Sequence, residues 1–144
     1  MAESGNWLVW ALLSAVFAAA TAVLAKIGVQ GIDSDLATLV RTVVIGVLLS
    51  LFVLSTGKWS NPLQLPSRSL LFLFLSAVAT GASWVCYFRA LQVGPVSLVA
   101  PIDKLSVVLV IAFAFMFLGE RPSTREWLAV GMIGAGAIML AFKK

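Results

Sequence analysis

Asp103 and Lys104 stand side by side two residues after Pro101, about two turns into a long apolar run, and they are the chemically most pointed positions in this chain. A proline inside a helix has no N–H to give, so Pro101 leaves the carbonyl of Ser97 without its helical donor and opens a polar notch beside the carboxylate and the amine. Interrupted helices of this kind are where membrane transporters hold solutes and ions. Arg41, inside another apolar run, is the second such position. Ionisable groups placed there are costly to insert, so each needs a partner or a task. Asp103 is expected to pair with Arg41 or with Lys104, and the pair serves either to hold the fold or also to meet a substrate or a proton.

The elements that carry these groups read as membrane-spanning helices. Five apolar stretches, 7–27, 36–54, 70–88, 96–118 and 124–142, fill most of the 144 residues. Each approaches the length of about 20 residues that a helix needs to cross a hydrocarbon core of ~30 Å. Hydrophobic residues make up 61% of the chain and charged ones 11%, against roughly 25% charged in a soluble domain. A soluble domain is thereby excluded, and continuous runs rich in Ala, Leu, Val and Gly do not fit the alternating strands of a barrel. The expected fold is all-α: a single polytopic domain over residues 1–144, with five transmembrane helices and the termini on opposite sides. The residues ahead of the first stretch include Glu3 and neither Lys nor Arg, so that stretch reads as a retained span rather than a signal peptide.

With the N-terminal side named A and the opposite side B, every embedded charge falls in the half nearer side B. At 1.5 Å per residue Arg41 lies ~8 Å and Asp103 ~11 Å inside that boundary, depths that match within a helical turn. Lys26 and Arg89 stand near helix ends and are expected to snorkel toward headgroups. Trp7, Trp10, Trp59 and Trp127 fall near side A, and Trp84 and Tyr87 toward side B, where rings form interfacial belts. Trp84 and Tyr87 could instead form a cage for a cation. Small residues at helical spacing, Ala15 and Ala19 in the first span and Gly131, Gly134 and Ala135 in the fifth, allow close helix approach, within the chain or as a dimer seam.

Several function classes fall away on composition. The chain has no histidine and a single cysteine, Cys86, so neither a metal set nor an acid–base pair for an enzyme is evident, and no cofactor is expected. The net charge of +4 is scattered singly through spans and short loops, which does not make a nucleic-acid surface.

Three segments together resemble a single repeat of the EamA-type drug/metabolite transporter superfamily. They are Tyr87-Phe88-Arg89-Ala90-Leu91-Gln92-Val93-Gly94-Pro95, then Leu98-Val99-Ala100-Pro101 followed by Leu105-Ser106, and Phe117-Leu118-Gly119-Glu120-Arg121-Pro122 leading to Trp127 and the Gly131 to Gly136 run. Full-length members have ten spans in two inverted halves and export small metabolites through a central cavity. The resemblance therefore implies a secondary transporter, in the exporting direction, of a small polar metabolite or drug in a cell membrane, the bacterial inner membrane, with function requiring a second copy. An antiparallel homodimer working by alternating access is the simplest such pairing. Lys58, Arg68, Arg121 and Arg125 on side A balance Lys26, Arg89, Lys143 and Lys144 on side B when Arg41 and Lys104 are set aside as intramembrane. Neither orientation is then preferred, as dual topology requires; counting those two for side B would put that side in the cytosol. A small multidrug exporter is a poorer match, since no glutamate lies between Trp7 and Ile27. The competing class is a non-transporting membrane subunit that positions a partner protein or a lipid.

Overall fold

The computed structural model describes residues 6–142; Lys143 and Lys144, counted above for side B, lie outside them. Every regular element among the described residues is helical. In chain order these are α1 (Asn6–Gly28), α2 (Ser34–Ser55), a short 3-10 turn at Pro62–Gln64, α3 (Ser67–Val93), α4 (Val96–Asp103), α5 (Ser106–Phe113) running into a π-helical turn at Ala114–Leu118, and α6 (Thr124–Ala141).

Among the described residues, four segments are long and apolar enough to cross a bilayer: Asn6–Gly28, Ser34–Ser55, Ser67–Val93 and Val96–Leu118. Val96–Leu118 is the expected fourth span, broken into α4, α5 and the π-helical turn. α6 is 18 residues long with Glu126 in its first turn, so the fifth expected span is a helix whose opening is polar and whose remainder is apolar. The surface confirms the solvent. Residues such as Leu24, Leu39, Phe74 and Met139 stand 60 to 76% exposed, an arrangement that drives aggregation in water and suits lipid. Without water nearby, span hydroxyls turn back on their own helices: Thr38, Thr42, Ser50 and Thr80 each donate to the carbonyl four residues earlier at 2.7 to 2.9 Å.

Helix boundaries follow local chemistry. The Asp33 carboxylate accepts from the amides of Asp35 and Leu36 at 2.9 and 3.0 Å, capping α2. Gly119, at φ +69°, closes the π-helical turn in a left-handed conformation that a side chain would resist. Ser123 then caps α6: its hydroxyl faces the Glu126 amide, and the Glu126 carboxylate accepts from the Ser123 amide at 2.6 Å, a reciprocal box that satisfies otherwise orphaned donors.

The chain forms two compact units. One comprises Leu24–Val93 and holds the end of α1, all of α2 and all of α3. Within it Val29, Ser34, Ala37, Thr38, Phe88 and Leu91 are buried, and α2 packs on α3. The other comprises the described part of Met1–Val23 together with that of Gly94–Lys144. There α6 packs on both α4 and α5, with Ala114, Gly134 and Ala137 buried.

Candidate functional site

In the α2–α3 unit the polar groups gather where α3 ends and α2 begins. α3 continues to Val93, five residues beyond the expected span end at residue 88. This extension keeps Arg89, Gln92 and Leu91 in helical register above the first turn of α2. Arg89 donates through Nε and Nη2 to the two oxygens of Asp35 at 3.0 and 2.6 Å, a forked pair between helices. Gln92 Nε2 donates to the Ile32 carbonyl at 2.9 Å, and Lys26 Nζ to the Leu91 carbonyl at 2.6 Å. The expectation that Lys26 and Arg89 reach for headgroups is thus corrected: both are engaged by the protein's own oxygens.

Deeper in the same unit, Arg41 lies over the Trp84 ring, with Cζ 4.4 Å from its centroid and 5.3 Å from that of Phe88. Trp84 and Phe88 are four residues apart on α3, one turn, so a single face presents both rings to the guanidinium. Tyr87 packs edge-on against Phe88 with centroids 6.4 Å apart. The aromatic face was legible as an interfacial belt or a cage; its occupant in the structure is the chain's own arginine. Asp35 was not singled out from the sequence, and Phe88 and Gln92 stood there only as members of the motif, with no role of their own. The signal for Phe88 was its one-turn spacing from Trp84.

In the other unit the fourth span is interrupted beside Asp103. α4 carries Pro101 and ends at Asp103. Across the break the amides of Lys104, Leu105, Val107 and Val108 each bond the carbonyl three residues back, at 3.0 to 3.1 Å, a tightened 3-10 pattern instead of the α pattern. Asp103 and Lys104 face each other at 3.6 Å, both partly exposed. A contact that long between neighbouring exposed side chains is weak, so the carboxylate is free to take another partner. Ser97 stands one turn ahead of Pro101 on α4 and is exposed.

Below the break, α5 and α6 approach closely. A side chain on Gly134 would begin 2.9 Å from Val108 Cγ2, so that glycine serves packing within the chain. Beside it an open apolar groove of about 570 Å³ runs between Leu105, Val108 and Leu109 on one wall and Gly131, Ala135 and Ile138 on the other. Ala15 and Ala19 on α1 are exposed.

A profile of the EamA-like transporter family matches residues 5–142. An uncharacterized transporter in the cobO 3' region of Sinorhizobium sp. is 55% identical over 138 residues, 96% of this chain and 98% of that protein. The probable 4-amino-4-deoxy-L-arabinose-phosphoundecaprenol flippase subunit ArnE of Yersinia pestis (strain Pestoides F) is 31% identical over 85 residues, 58% of this chain and 75% of that protein. The protein of the same description from Yersinia pseudotuberculosis serotype O:3 (strain YPIII) matches to the same extent. No solved structure matches the chain.

Proposed function

The chain belongs to the EamA-like transporter family, and from that premise we propose that it is a secondary transporter, most simply an exporter, of a small polar metabolite or drug in the bacterial inner membrane. The observation that carries the site is the break in the fourth span at Lys104–Leu105, directly after the exposed carboxylate of Asp103. A helix interrupted within the membrane exposes backbone dipoles and a titratable group to the same solute, and a hinge there lets the two half-helices tilt during alternating access. Asp103 is the proton-responsive group in this reading. Lys104, Ser97 and Pro101 shape the notch, and Arg41, Trp84 and Tyr87 form a second station.

Asp103→Asn keeps size and hydrogen bonding but cannot ionise. In proteoliposomes screened with a panel of small polar metabolites, the variant is expected to assemble normally and to lose the dependence of flux on a pH gradient. An unchanged pH response would assign Asp103 a structural task.

The active assembly we propose is an antiparallel homodimer. Its support is the four-against-four balance of loop charges and the similar length of the Sinorhizobium relative, matched over 98% of that protein. Inverting one copy carries its charged half to the opposite leaflet, and the two states of the transport cycle become related by symmetry. Single cysteines in place of Lys58 and Gln30, installed after exchange of the exposed Cys86, test this in intact cells. Each is expected to label from both faces in comparable amounts, and labelling of each from one face alone overturns the arrangement. The Yersinia relatives are described as flippase subunits, which favours a second reading, assembly with a different chain. A stoichiometric partner co-purifying with one-sided labelling would select it.

A further inference from the structure

Among the described residues, Arg41 is an embedded cation with no oxygen of the protein to receive its donors. Lys26 has the Leu91 carbonyl at 2.6 Å, Arg89 the Asp35 carboxylate at 2.6 Å, and Lys104 the Asp103 carboxylate at 3.6 Å. Arg41 has two aromatic rings instead, and among the described residues no hydrogen bond or ion pair reaches its guanidinium. It stands seven residues into α2, about 10 Å along the helix from Ser34. Trp84 brings its ring centroid to 4.4 Å from Cζ of the guanidinium. The donors point out along its edge, and at the margin of the hydrocarbon each donor left without an acceptor is costly.

A planar fork of N–H groups, set against aromatic rings and lacking a protein carboxylate, is built for an oxyanion with two oxygens to offer. We propose that Arg41, seated on Trp84 and Phe88, is a binding site for the phosphate group of a phosphate ester, the fork taking two phosphate oxygens while the rings accept the adjoining apolar or sugar part. The choice of phosphate over carboxylate rests on the transport reading above, because the Yersinia relatives are described as acting on a phosphoundecaprenol. The same chemistry is offered by a soluble phosphate ester and by a phospholipid headgroup, and the test separates them.

Protein purified in a maltoside detergent and phosphate-free buffer is titrated with glycerol 3-phosphate, with phosphatidate, and with glycerate as the carboxylate control, reading the thermal unfolding midpoint, since a ligand bound to the folded state raises it. The expected result is a concentration-dependent rise with phosphatidate, with glycerol 3-phosphate, or with both, and little with glycerate. A response to phosphatidate alone assigns the site to a lipid phosphate, and a response to glycerol 3-phosphate assigns it to a soluble ester. Arg41→Gln is expected to abolish the response. Arg41→Lys, which keeps the charge and guards against misfolding, and Trp84→Leu are each expected to weaken apparent affinity about tenfold or more, because neither retains both fork and platform. Arg68→Gln removes a positive charge at the other end of α3 and leaves the response intact. No rise with either phosphate, an equal rise with glycerate, an equal response in Arg41→Gln, or the same loss in Arg68→Gln overturns the proposal. The readout involves no flux, so a chain that binds phosphate but moves nothing ends the transport reading and keeps this site, while flux that persists without phosphate binding does the reverse.

Discussion

Reversing the charge of Asp35 with Asp35→Arg is expected to remove most of the folded, monodisperse protein recovered in mild detergent, and adding Arg89→Asp on the same chain is expected to bring part of it back. The pair is forked, with both carboxylate oxygens engaged at 3.0 and 2.6 Å, and it joins helices whose residues are 54 positions apart in sequence. Two guanidinium groups brought together there repel each other in place of a forked ion pair, so the seam between α2 and α3 opens. Recovery in the double variant is incomplete for a reason outside the pair. Asp35 sits in the first turn of α2, where its carboxylate complements the partial positive charge of that helix end, and the swap sets an arginine against it. Full recovery would mean that helix-end charge is negligible here, and wild-type yield from Asp35→Arg alone would mean that the ion pair holds nothing together.

That pair marks the limit of what the residues alone disclosed. The apolar runs announced the helices to within a turn at most ends, because these boundaries depend on neighbours in sequence. Arg89 read as a terminal, snorkelling residue only because the apolar run falters after Phe88. The helix nevertheless continues through five polar and apolar residues to Val93, held by Lys26, Asp35 and Ile32 from other parts of the chain. Tertiary hydrogen bonds extended an element that hydropathy had ended. A similar displacement applies to the fourth span: Pro101 was identified as the disruption, yet the helix tolerates it and yields at Lys104 and Leu105, one turn later. A proline forfeits one donor at its own position, and the backbone tightens where that loss can be absorbed. Trp84 was legible as aromatic surface toward side B, but its stacking on Arg41 needed the register of α2 against α3, which no spacing within either helix contains.

Close packing between α5 and α6 leads to the other large effect. At Gly134 an added Cβ starts 2.9 Å from Val108 Cγ2, and Val108 is β-branched, with little rotamer freedom to withdraw. Gly134→Ala sets two effects against each other: the alanine gains about 1 kcal/mol of helix propensity, while Val108 or the α6 backbone has to yield several tenths of an ångström. The result is expected near neutral. Gly134→Val has the same clash with a bulkier branch and less propensity to offset it, and is expected to destabilise the chain by about 1 to 3 kcal/mol. Thermal unfolding in detergent measures both, and adding Val108→Ala supplies the discriminating step. If the contact is the cause, the double variant recovers much of the loss, since the removed methyls are the atoms in conflict. Gly136→Ala, on the same helix with nothing within 4 Å of the new methyl, is expected to leave stability unchanged or slightly raised. A Gly134→Val chain as stable as the parent would mean that α5 and α6 can separate freely. Loss that Val108→Ala fails to relieve would place the crowding elsewhere, on the open side of the groove beside Gly131 and Ala135, where a second copy could sit.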